Sequence, residues 1–213
     1  MVLNPHREST IIPPLNFLKI KNTVSEGNSK KASEALNLPA RYHGKALPDN
    51  RQSKEALKAV LSGQSLFITG SCGSGKTHLS VALMNAWFAD GMKEAEGKIY
   101  QSKGRGVFLP AVELFLEIKQ TFNGEGSEKD ILDKYSEVAL LVIDDLGAEK
   151  MSDWSRVVLY LLIDRRYRDM KQTIITSNLS HGELAEKLDD RIASRISEMG
   201  VIYDLGRKDW RIS

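Results

Sequence analysis

Eight consecutive residues near position 70 have the types and spacing needed to hold phosphate groups. They are Gly70, Ser71, Cys72, Gly73, Ser74, Gly75, Lys76 and Thr77, which fit the pattern G-x-x-x-x-G-K-[ST] in full. Glycines let successive backbone N–H groups point at phosphate oxygens, and a helix that begins here adds the positive end of its dipole. Lys76 would reach the β- and γ-phosphates, and the Thr77 hydroxyl would coordinate Mg²⁺. The pattern predicts a nucleotide-binding site.

Cys72, inside this loop, is the single cysteine of the chain. No disulfide and no Cys-rich zinc site can form within the chain, and the scattered histidines do not favour a His-only metal site. The Cys72 side chain is either a small filler or a thiol made acidic by the positive loop.

A pair of acidic residues follows the apolar run 138–143. Such a run is typical of a central parallel strand, and its carboxyl end lies where metals and phosphates bind in open α/β sheets. Asp144 is predicted to associate with Mg²⁺, and Asp145 to orient or deprotonate the attacking water. Without the phosphate loop, the same pair could simply form a turn.

Three polar residues, Thr176, Ser177 and Asn178, end the next apolar strand. Asn178 should lie beside the acidic pair, where its amide could hold the attacking water or contact the γ-phosphate. The alternative is an asparagine that caps the following turn.

Two arginines further along, Arg191 and Arg195, are four residues apart and share one helix face. One function for them is an arginine finger that reaches a nucleotide on a neighbouring subunit, which would require oligomerisation. The alternative is surface ion pairing with Asp189, Asp190 and Glu198.

Short apolar runs alternate with helical patterns along the rest of the chain. Strands are predicted at 66–69, 107–109, 138–143, 173–176 and 201–203, and helices at 53–61, 77–90, 111–122, 154–167 and 183–198. The polar, glycine-punctuated segments 93–106 and 123–129 are predicted as loops. This alternation indicates an α/β domain with a mostly parallel sheet.

Length and composition set further limits. With 213 residues, 41% of them hydrophobic, the chain can build one main domain, and a net charge of +2 excludes DNA binding by bulk charge alone. No apolar run approaches the roughly 20 residues that span a bilayer, and the first residues lack the apolar core of a signal peptide. We therefore expect a soluble, cytoplasmic protein.

The first 50 residues differ in composition from the rest. They are rich in proline and contain a short apolar segment, residues 11–18. We expect a flexible N-terminal arm over 1–50, which packs locally or docks a partner, followed by the domain over 51–213 that contains the phosphate loop.

Taken together, the phosphate loop, VALLVIDDLGAE, IITSN and DDRIASRI resemble the AAA+ ATPases of the DnaC/DnaI helicase-loader and IstB transposition-helper family. The segment LPARYHGKAL is also similar to the one that enters the ATPase domain in these proteins. The resemblance implies an α/β, three-layer P-loop NTPase fold of AAA+ type with a five-stranded parallel sheet. Because 18 residues follow Arg195, the C-terminal helical lid is expected to be absent.

The resemblance also assigns roles by position. Gly70–Thr77 corresponds to Walker A, Val142–Asp145 to Walker B and Asn178 to sensor 1. The DDRIASRI segment corresponds to the box that carries the arginine finger, for which we favour Arg195 over Arg191. Catalysis is thus expected from Lys76, Asp145, Asn178 and Arg195, with ATP and Mg²⁺ as cofactors.

The resemblance implies an ATPase that is slow and stimulated by DNA or a partner, since Asp145 stands where most AAA+ proteins have glutamate. The favoured role is a helicase loader of DNA replication, which forms ATP-dependent homo-oligomers and handles a replicative helicase and single-stranded DNA. The alternative is a transposition helper that works with a transposase on duplex DNA. A small-molecule kinase needs the same loop, but we find no Arg-rich lid or acceptor pocket in the sequence.

Two segments are candidates for contact with DNA. In the resembled family, an element after the second strand helps to hold single-stranded DNA; here that region contains Lys119 and Phe122. The cluster of Arg165, Arg166, Tyr167 and Arg168 is more basic. Its alternative is a helix C-terminus that carries favourable positive charge.

Overall fold

A computed structural model gives the fold of the chain. It describes residues 36, 38–95, 98–121, 126–148 and 152–206. The predictions for residues 1–35 and for Phe122 lie outside the described residues. Within the described part, no helix is both long and apolar enough to cross a membrane.

Strands and helices largely alternate along the described chain, with three consecutive strands after the second helix and two pairs of consecutive helices later on. The strands are β1 (Ser65–Thr69), β2 (Met92–Ala95), β3 (Lys98–Gln101), β4 (Gly106–Pro110), β5 (Leu140–Asp144), β6 (Gln172–Ser177) and β7 (Gly200–Asp204). The helices are α1 (Arg51–Leu61), α2 (Lys76–Gly91), α3 (Ala111–Thr121), α4 (Glu128–Ser136), α5 (Asp153–Arg168), α6 (His181–Lys187) and α7 (Asp190–Met199). A 3₁₀ turn at Ala40–Tyr42 precedes α1.

Five strands form one parallel sheet in the order β4-β5-β6-β1-β7. The central strands β1, β5 and β6 are buried along their whole length, because helices cover both faces of the sheet. The predicted three-layer α/β architecture with a five-stranded parallel sheet is confirmed.

Alternate residues of each strand pack into two separate hydrophobic cores. Phe67 and Ile143 join the side chains of α3 to α7 on one face, whereas Ile68 and Val142 join those of α1 and α2 on the other. The helix α2 is apolar on nearly all sides and is buried over most of its length. The phosphate loop therefore lies between a buried strand, β1, and a buried helix, α2.

Three local predictions differ from the structure. The single helix predicted over 183–198 is two helices, because Asp189 takes an extended backbone and caps α7 through its side chain, which accepts from the Arg191 N–H. The polar segment 93–106, predicted as a loop, contains most of the antiparallel hairpin β2–β3. The helix α4, whose first residues fall in the predicted loop 123–129, begins after Ser127, whose hydroxyl accepts from the Lys129 N–H.

The segment before α1 packs on the domain. Leu36 and Leu38 are buried in the core that contains α1 and α2, and the Tyr42 ring contacts Phe108 with centroids 5.8 Å apart. A ring nitrogen of His78, in the first turn of α2, lies 2.8 Å from the Ala46 carbonyl oxygen. The part of the predicted arm that the structure describes is thus attached to the domain, beside the phosphate loop.

A buried arginine joins α5 to the sheet. The Arg166 side chain is fully buried, and its guanidinium donates hydrogen bonds of 2.6–3.1 Å to the Thr173 hydroxyl and to four backbone carbonyls, those of Tyr135, Ser136, Val138 and Gln172. Burial lowers the pKa of Arg166 to about 9, so the group is still charged at neutral pH. The Arg166 guanidinium therefore connects the C-terminal end of α4 with the starts of β5 and β6.

Candidate functional site

The carboxyl ends of β1, β5 and β6 meet at one edge of the sheet. The strand register pairs Thr69 with Ser177 and Ile143 with Ile175, so the three strands end at nearly the same level. The predicted phosphate loop follows β1, the acidic pair ends β5, and Asn178 follows β6. The sheet therefore brings together three motifs that are far apart in the sequence.

Glycine is required at the start of the phosphate loop by both conformation and space. Gly70 has a φ of +147°, and a Cβ there would lie 2.8 Å from the Ser74 Oγ and 3.0 Å from the Gly206 carbonyl oxygen. The loop also hydrogen-bonds to the end of the described chain, since the Ser71 N–H donates to the Gly206 carbonyl at 3.0 Å. The backbone can make this close approach only without a side chain at position 70.

The loop contains hydroxyl and backbone N–H donors of the kind that bind phosphate oxygens. The hydroxyl oxygens of Ser71 and Ser74 are buried and make no hydrogen bond within the described residues. The helix α2 begins at Lys76 with Gly75 as its N-cap, and no side chain caps its first N–H groups. Buried hydroxyls and an uncapped helix start together fit a nucleotide phosphate chain.

The predicted phosphate-binding lysine lies over this loop. The Lys76 side chain is buried, and Nζ donates to the carbonyl oxygens of Gly70 and Ser71, each at 2.9 Å. Its third hydrogen bond, 2.6 Å long, goes to the side-chain oxygen of Asn178. The ammonium group thus already lies where the loop and β6 converge.

Asp144 is held by two hydroxyl groups. Thr77 Oγ1 donates to its Oδ2 at 3.0 Å, and Thr176 Oγ1 donates to its Oδ1 at 2.7 Å. Burial raises the pKa of the Asp144 carboxyl above its usual value, and the hydrogen bonds from Thr176 and Thr77 oppose that rise. The hydroxyl of Thr77 and the carboxylate of Asp144, predicted to hold Mg²⁺, are therefore adjacent.

These groups fit a magnesium ion that completes its shell with phosphate and water. Oxygen ligands are those that Mg²⁺ prefers, and it commonly uses one or two protein groups beside substrate phosphates. The described residues contain no cluster of three or more His, Cys, Asp or Glu side chains that could hold a metal by itself. A magnesium ion at Thr77 and Asp144 would share its remaining positions between phosphate oxygens and water.

Asp145 and Asn178 are both exposed at the mouth of the site. Asn178 Nδ2 donates to Asp145 Oδ1 at 2.8 Å, so the same amide contacts Lys76 with its oxygen and Asp145 with its nitrogen. The alternative role of Asn178 as a helix cap does not fit, because Ser180 caps α6 and forms a capping box with Glu183. Asn178 lies beside the acidic pair, as the sequence predicts.

The two candidate finger arginines lie on α7 and are paired within the chain. Arg195 Nε donates to Asp164 Oδ1 at 2.7 Å, and its Nη2 donates to the Tyr160 hydroxyl at 3.1 Å. The more exposed Arg191 makes a bidentate ion pair with the Asp189 carboxylate. No hydrogen bond or ion pair found among the described residues joins either arginine to the phosphate loop. Both stay candidates for a contact in trans.

The basic cluster at the end of α5 is not a continuous cationic surface. Arg166 is buried, Arg165 pairs with Asp133 at 2.6 Å, and Arg168 pairs with Asp164 at 3.0 Å. The Tyr167 hydroxyl donates to Glu198. The structure favours the alternative interpretation of the cluster as a helix C-terminus. Lys119 on α3 is exposed.

Sequence reasoning missed the contribution of the two hydroxyl residues before Asn178. Besides its bond to Asp144, Thr176 Oγ1 accepts from the Asp145 N–H at 2.9 Å, and Ser177 Oγ donates to the Leu146 carbonyl at 2.6 Å. The segment Thr176–Ser177 therefore holds the turn that follows the acidic pair. The one available signal was two consecutive hydroxyl residues at the end of an apolar strand.

The relatives found by comparison with known proteins all point to one family. The family model described as "IstB-like ATP binding protein" matches residues 43–197. The replicative helicase loader DnaC of Escherichia coli strain K12 is 28% identical over 153 residues, which is 71% of this chain and 56% of that protein. The DnaC of Buchnera aphidicola subsp. Baizongia pistaciae (strain Bp) is 30% identical over 135 residues, 62% of this chain and 50% of that protein. The chain thus spans about half the length of the curated relatives it matches.

Solved structures of similar proteins point to the same family. The crystal structure of the DnaC helicase loader superposes with a TM-score of 0.64 and 30% identity, and the match covers 78% of this chain and 99% of that one. The crystal structure of DnaI gives a TM-score of 0.60 with 24% identity, over 77% of this chain and 89% of that one, which supports the fold. Because the family model covers more than half of the chain, and the phosphate loop and acidic pair lie within it, the chain belongs to the IstB-like ATP-binding family, in the DnaC/IstB group of AAA+ proteins.

Proposed function

We propose that the protein is a slow ATPase of DNA replication that works as a helicase loader, with its nucleotide state controlling assembly on DNA and on a partner. The observation that carries this proposal is the hydrogen-bonded chain from Lys76 through Asn178 to Asp145, which lies beside the Thr77–Asp144 pair. It places an ammonium group, an amide and a carboxylate at one edge of the sheet, where they would bind phosphate, orient water and accept a hydrogen bond from it. The similarity to DnaC supports the replication role.

The residues of the chain divide the work of hydrolysis. Magnesium-bound ATP supplies an activated γ-phosphoryl group for attack by water. Lys76 would exchange its contacts with the Gly70 and Ser71 carbonyls for phosphate oxygens, while Thr77 and Asp144 would hold the cation. Asn178 then orients the water, and Asp145 accepts a hydrogen bond from it.

Slow turnover follows from the acid at position 145. Aspartate is one methylene shorter than glutamate, and one of the Asp145 oxygens already accepts from the Asn178 amide. The side chain must release that bond or use its second oxygen to polarise a water. Such a site suits a protein that changes state when DNA or a partner stimulates hydrolysis. It suits a motor, which hydrolyses ATP rapidly and repeatedly, less well.

We further propose that the active form is an oligomer in which Arg195 completes the site of its neighbour. The guanidinium would have to leave Asp164 and Tyr160, so the intramolecular pairing seen here would be the resting arrangement. Single-stranded DNA would contact the region of α3 that carries the exposed Lys119.

A transposition helper is the second candidate, because the family model that matches residues 43–197 is the IstB-like one. The two functions share the ATPase core and differ in partner and DNA form. A preference for duplex DNA together with binding to a transposase would favour this candidate. Transfer of phosphate to a metabolite instead of water would indicate a kinase.

The test is retention of the protein on an immobilised replicative helicase from its host. We expect retention with ATP and single-stranded DNA, and release with ADP. Lys76→Ala should abolish retention, because it removes the phosphate contact. Cys72→Ser, a matched change in the same loop that preserves its backbone, should keep it. A wild-type protein that binds ATP but is retained in no nucleotide state would contradict the loader function.

A further inference from the structure

We propose that Thr176 is a positioning residue of the ATPase site, which fixes the cation-binding carboxylate of Asp144 and the backbone of Asp145 at the same time. The inference rests on the proposed ATP-binding and hydrolysing function of this site. Thr176 lies one residue from the end of β6 and is fully buried. It would act on the cation and the water only through the two acidic residues.

The direction of each hydrogen bond at Thr176 follows from the atoms present. The Asp145 backbone N–H lies 2.9 Å from Thr176 Oγ1 and can only donate, so the threonine oxygen accepts this bond. The single hydroxyl proton is therefore left for Asp144 Oδ1, at 2.7 Å. A valine in this place has the same shape but can make neither bond.

The carboxylate of Asp144 is consequently held at both oxygens. Thr77 donates to Oδ2 and Thr176 to Oδ1, so one hydroxyl from α2 and one from β6 fix the orientation of the group. Removal of the Thr176 hydroxyl leaves Asp144 Oδ1 without this donor in a buried position. The carboxylate is then fixed on the Thr77 side alone, where rotation would disturb the predicted cation site.

The contact with Asp145 adds a second effect. Asp145 has a φ of +57°, a conformation that residues other than glycine adopt rarely, although aspartate and asparagine tolerate it best. The Thr176 hydroxyl accepts the N–H of Asp145, and the Thr176 carbonyl accepts the N–H of Leu146 at 2.8 Å. Thr176 thus holds the backbone on both sides of the Asp145 side chain, which directs that side chain to Asn178.

A purely structural role for a buried hydroxyl is the competing explanation, and Thr173 provides the matched control. It lies on the same strand and is equally buried, but its hydroxyl accepts from Arg166 Nε at 2.9 Å and donates to the Lys171 carbonyl at 3.1 Å. It has no hydrogen bond to either acidic residue. Loss of either hydroxyl should lower stability, but only loss of that of Thr176 should change the response to Mg²⁺.

The experiment compares Thr176→Val, Thr176→Ser and Thr173→Val in the full chain. Binding of a fluorescent ADP analogue is measured in EDTA and across a Mg²⁺ titration, and ATP hydrolysis is measured beside it. For Thr176→Val we expect affinity in EDTA within about twofold of wild type and a Mg²⁺ requirement raised about tenfold or more, as for other groups that orient metal ligands. Thr176→Ser, which keeps the hydroxyl, should restore wild-type values. Thr173→Val should keep the wild-type Mg²⁺ requirement.

An unchanged Mg²⁺ requirement in Thr176→Val would overturn the proposal, as would an equal rise in Thr173→Val. If the valine variant does not fold, Thr176→Ala carries the same test with the same expected result. The binding readout separates this inference from the function on which it rests. A wild-type chain that binds Mg²⁺-ADP but hydrolyses no ATP contradicts the ATPase activity, and the Mg²⁺ titration still decides the role of Thr176.

Discussion

Lys76 and Asn178, 102 residues apart in the chain, are joined by a hydrogen bond of 2.6 Å between Nζ and Oδ1. The bond links the start of α2 to the end of β6, and the Asn178 amide continues it to Asp145. Phosphate that draws Lys76 towards itself must therefore also change the hydrogen bonding of Asn178. Under the proposed function, this connection would let the site respond to the γ-phosphate.

The first prediction concerns the amide of Asn178. Asn178→Ala removes the group that would orient the water but leaves Lys76 its two carbonyl contacts in the loop. We expect ATP hydrolysis to fall about 100-fold, the usual cost of removing one preorganised donor, with ATP affinity changed less than about threefold. Phosphate release and fluorescent-nucleotide binding measure the two quantities.

Ser180→Ala is the control for this change. Ser180 is exposed two residues further along and caps α6, so its loss should weaken the helix without altering hydrolysis. If Asn178→Ala hydrolyses ATP at the wild-type rate, the amide has no part in the reaction.

The second prediction tests Arg195 as a finger in trans. Arg195→Ala and Lys76→Ala should each hydrolyse ATP at least about tenfold more slowly than wild type, because one lacks the finger and the other the phosphate contact. A mixture of the two should recover part of the activity, since the Lys76→Ala subunit still supplies Arg195 to its neighbour. Phosphate release from the mixture, at constant total protein, is the measurement.

Asp164→Ala separates this role from a structural one. Asp164 pairs with Arg195 inside the chain, so its loss breaks the same ion pair but leaves the arginine. We expect Asp164→Ala to keep its ATPase activity. Equal losses in Asp164→Ala and Arg195→Ala, with no recovery on mixing, would show that the pair only supports the fold. Arg191→Ala tests the neighbouring arginine in the same way.

Much of the site could be predicted because its chemistry depends on local patterns. The spacing of glycines before Lys76 and Thr77 leaves few other functions for the loop, and the apolar run before Asp144 has the composition of a buried strand. The parallel sheet followed from the alternation of strands and helices. Asn178 was placed correctly because parallel strands bring their carboxyl ends to one edge.

The missed features depend on tertiary contacts that no local pattern shows. Arg166 lies in the basic run 165–168, which has the composition of an exposed surface. Its side chain is nevertheless fully buried and donates hydrogen bonds to backbone carbonyl oxygens. Thr176 looked like an ordinary strand residue, because its two partners lie at the end of another strand, 32 and 31 residues away. The break between α6 and α7 was hidden since apolar residues keep a helical spacing across Asp189.

The third prediction concerns the stability that Arg166 provides. Arg166→Met removes a guanidinium that serves five acceptors, and the buried carbonyls of Tyr135, Val138 and Gln172 would lose a donor. We expect the free energy of unfolding to fall by about 3 kcal/mol or more, measured by urea denaturation. Arg168→Ala removes an exposed arginine and leaves its partner Asp164 paired with Arg195, so it should change the free energy of unfolding by less than about 1 kcal/mol. Equal stabilities of the two variants would contradict the role given to Arg166.

Nucleotide-controlled assembly is tested most directly by the mass of the protein in solution with and without nucleotide. Light scattering on the full chain should show the monomer mass of 23.8 kDa without nucleotide and a multiple of it with ATP, Mg²⁺ and single-stranded DNA. Lys76→Ala should remain a monomer under all these conditions. If the wild-type protein binds ATP and yet stays monomeric with and without DNA, nucleotide-controlled assembly is contradicted, and a stand-alone nucleotide-binding role takes its place.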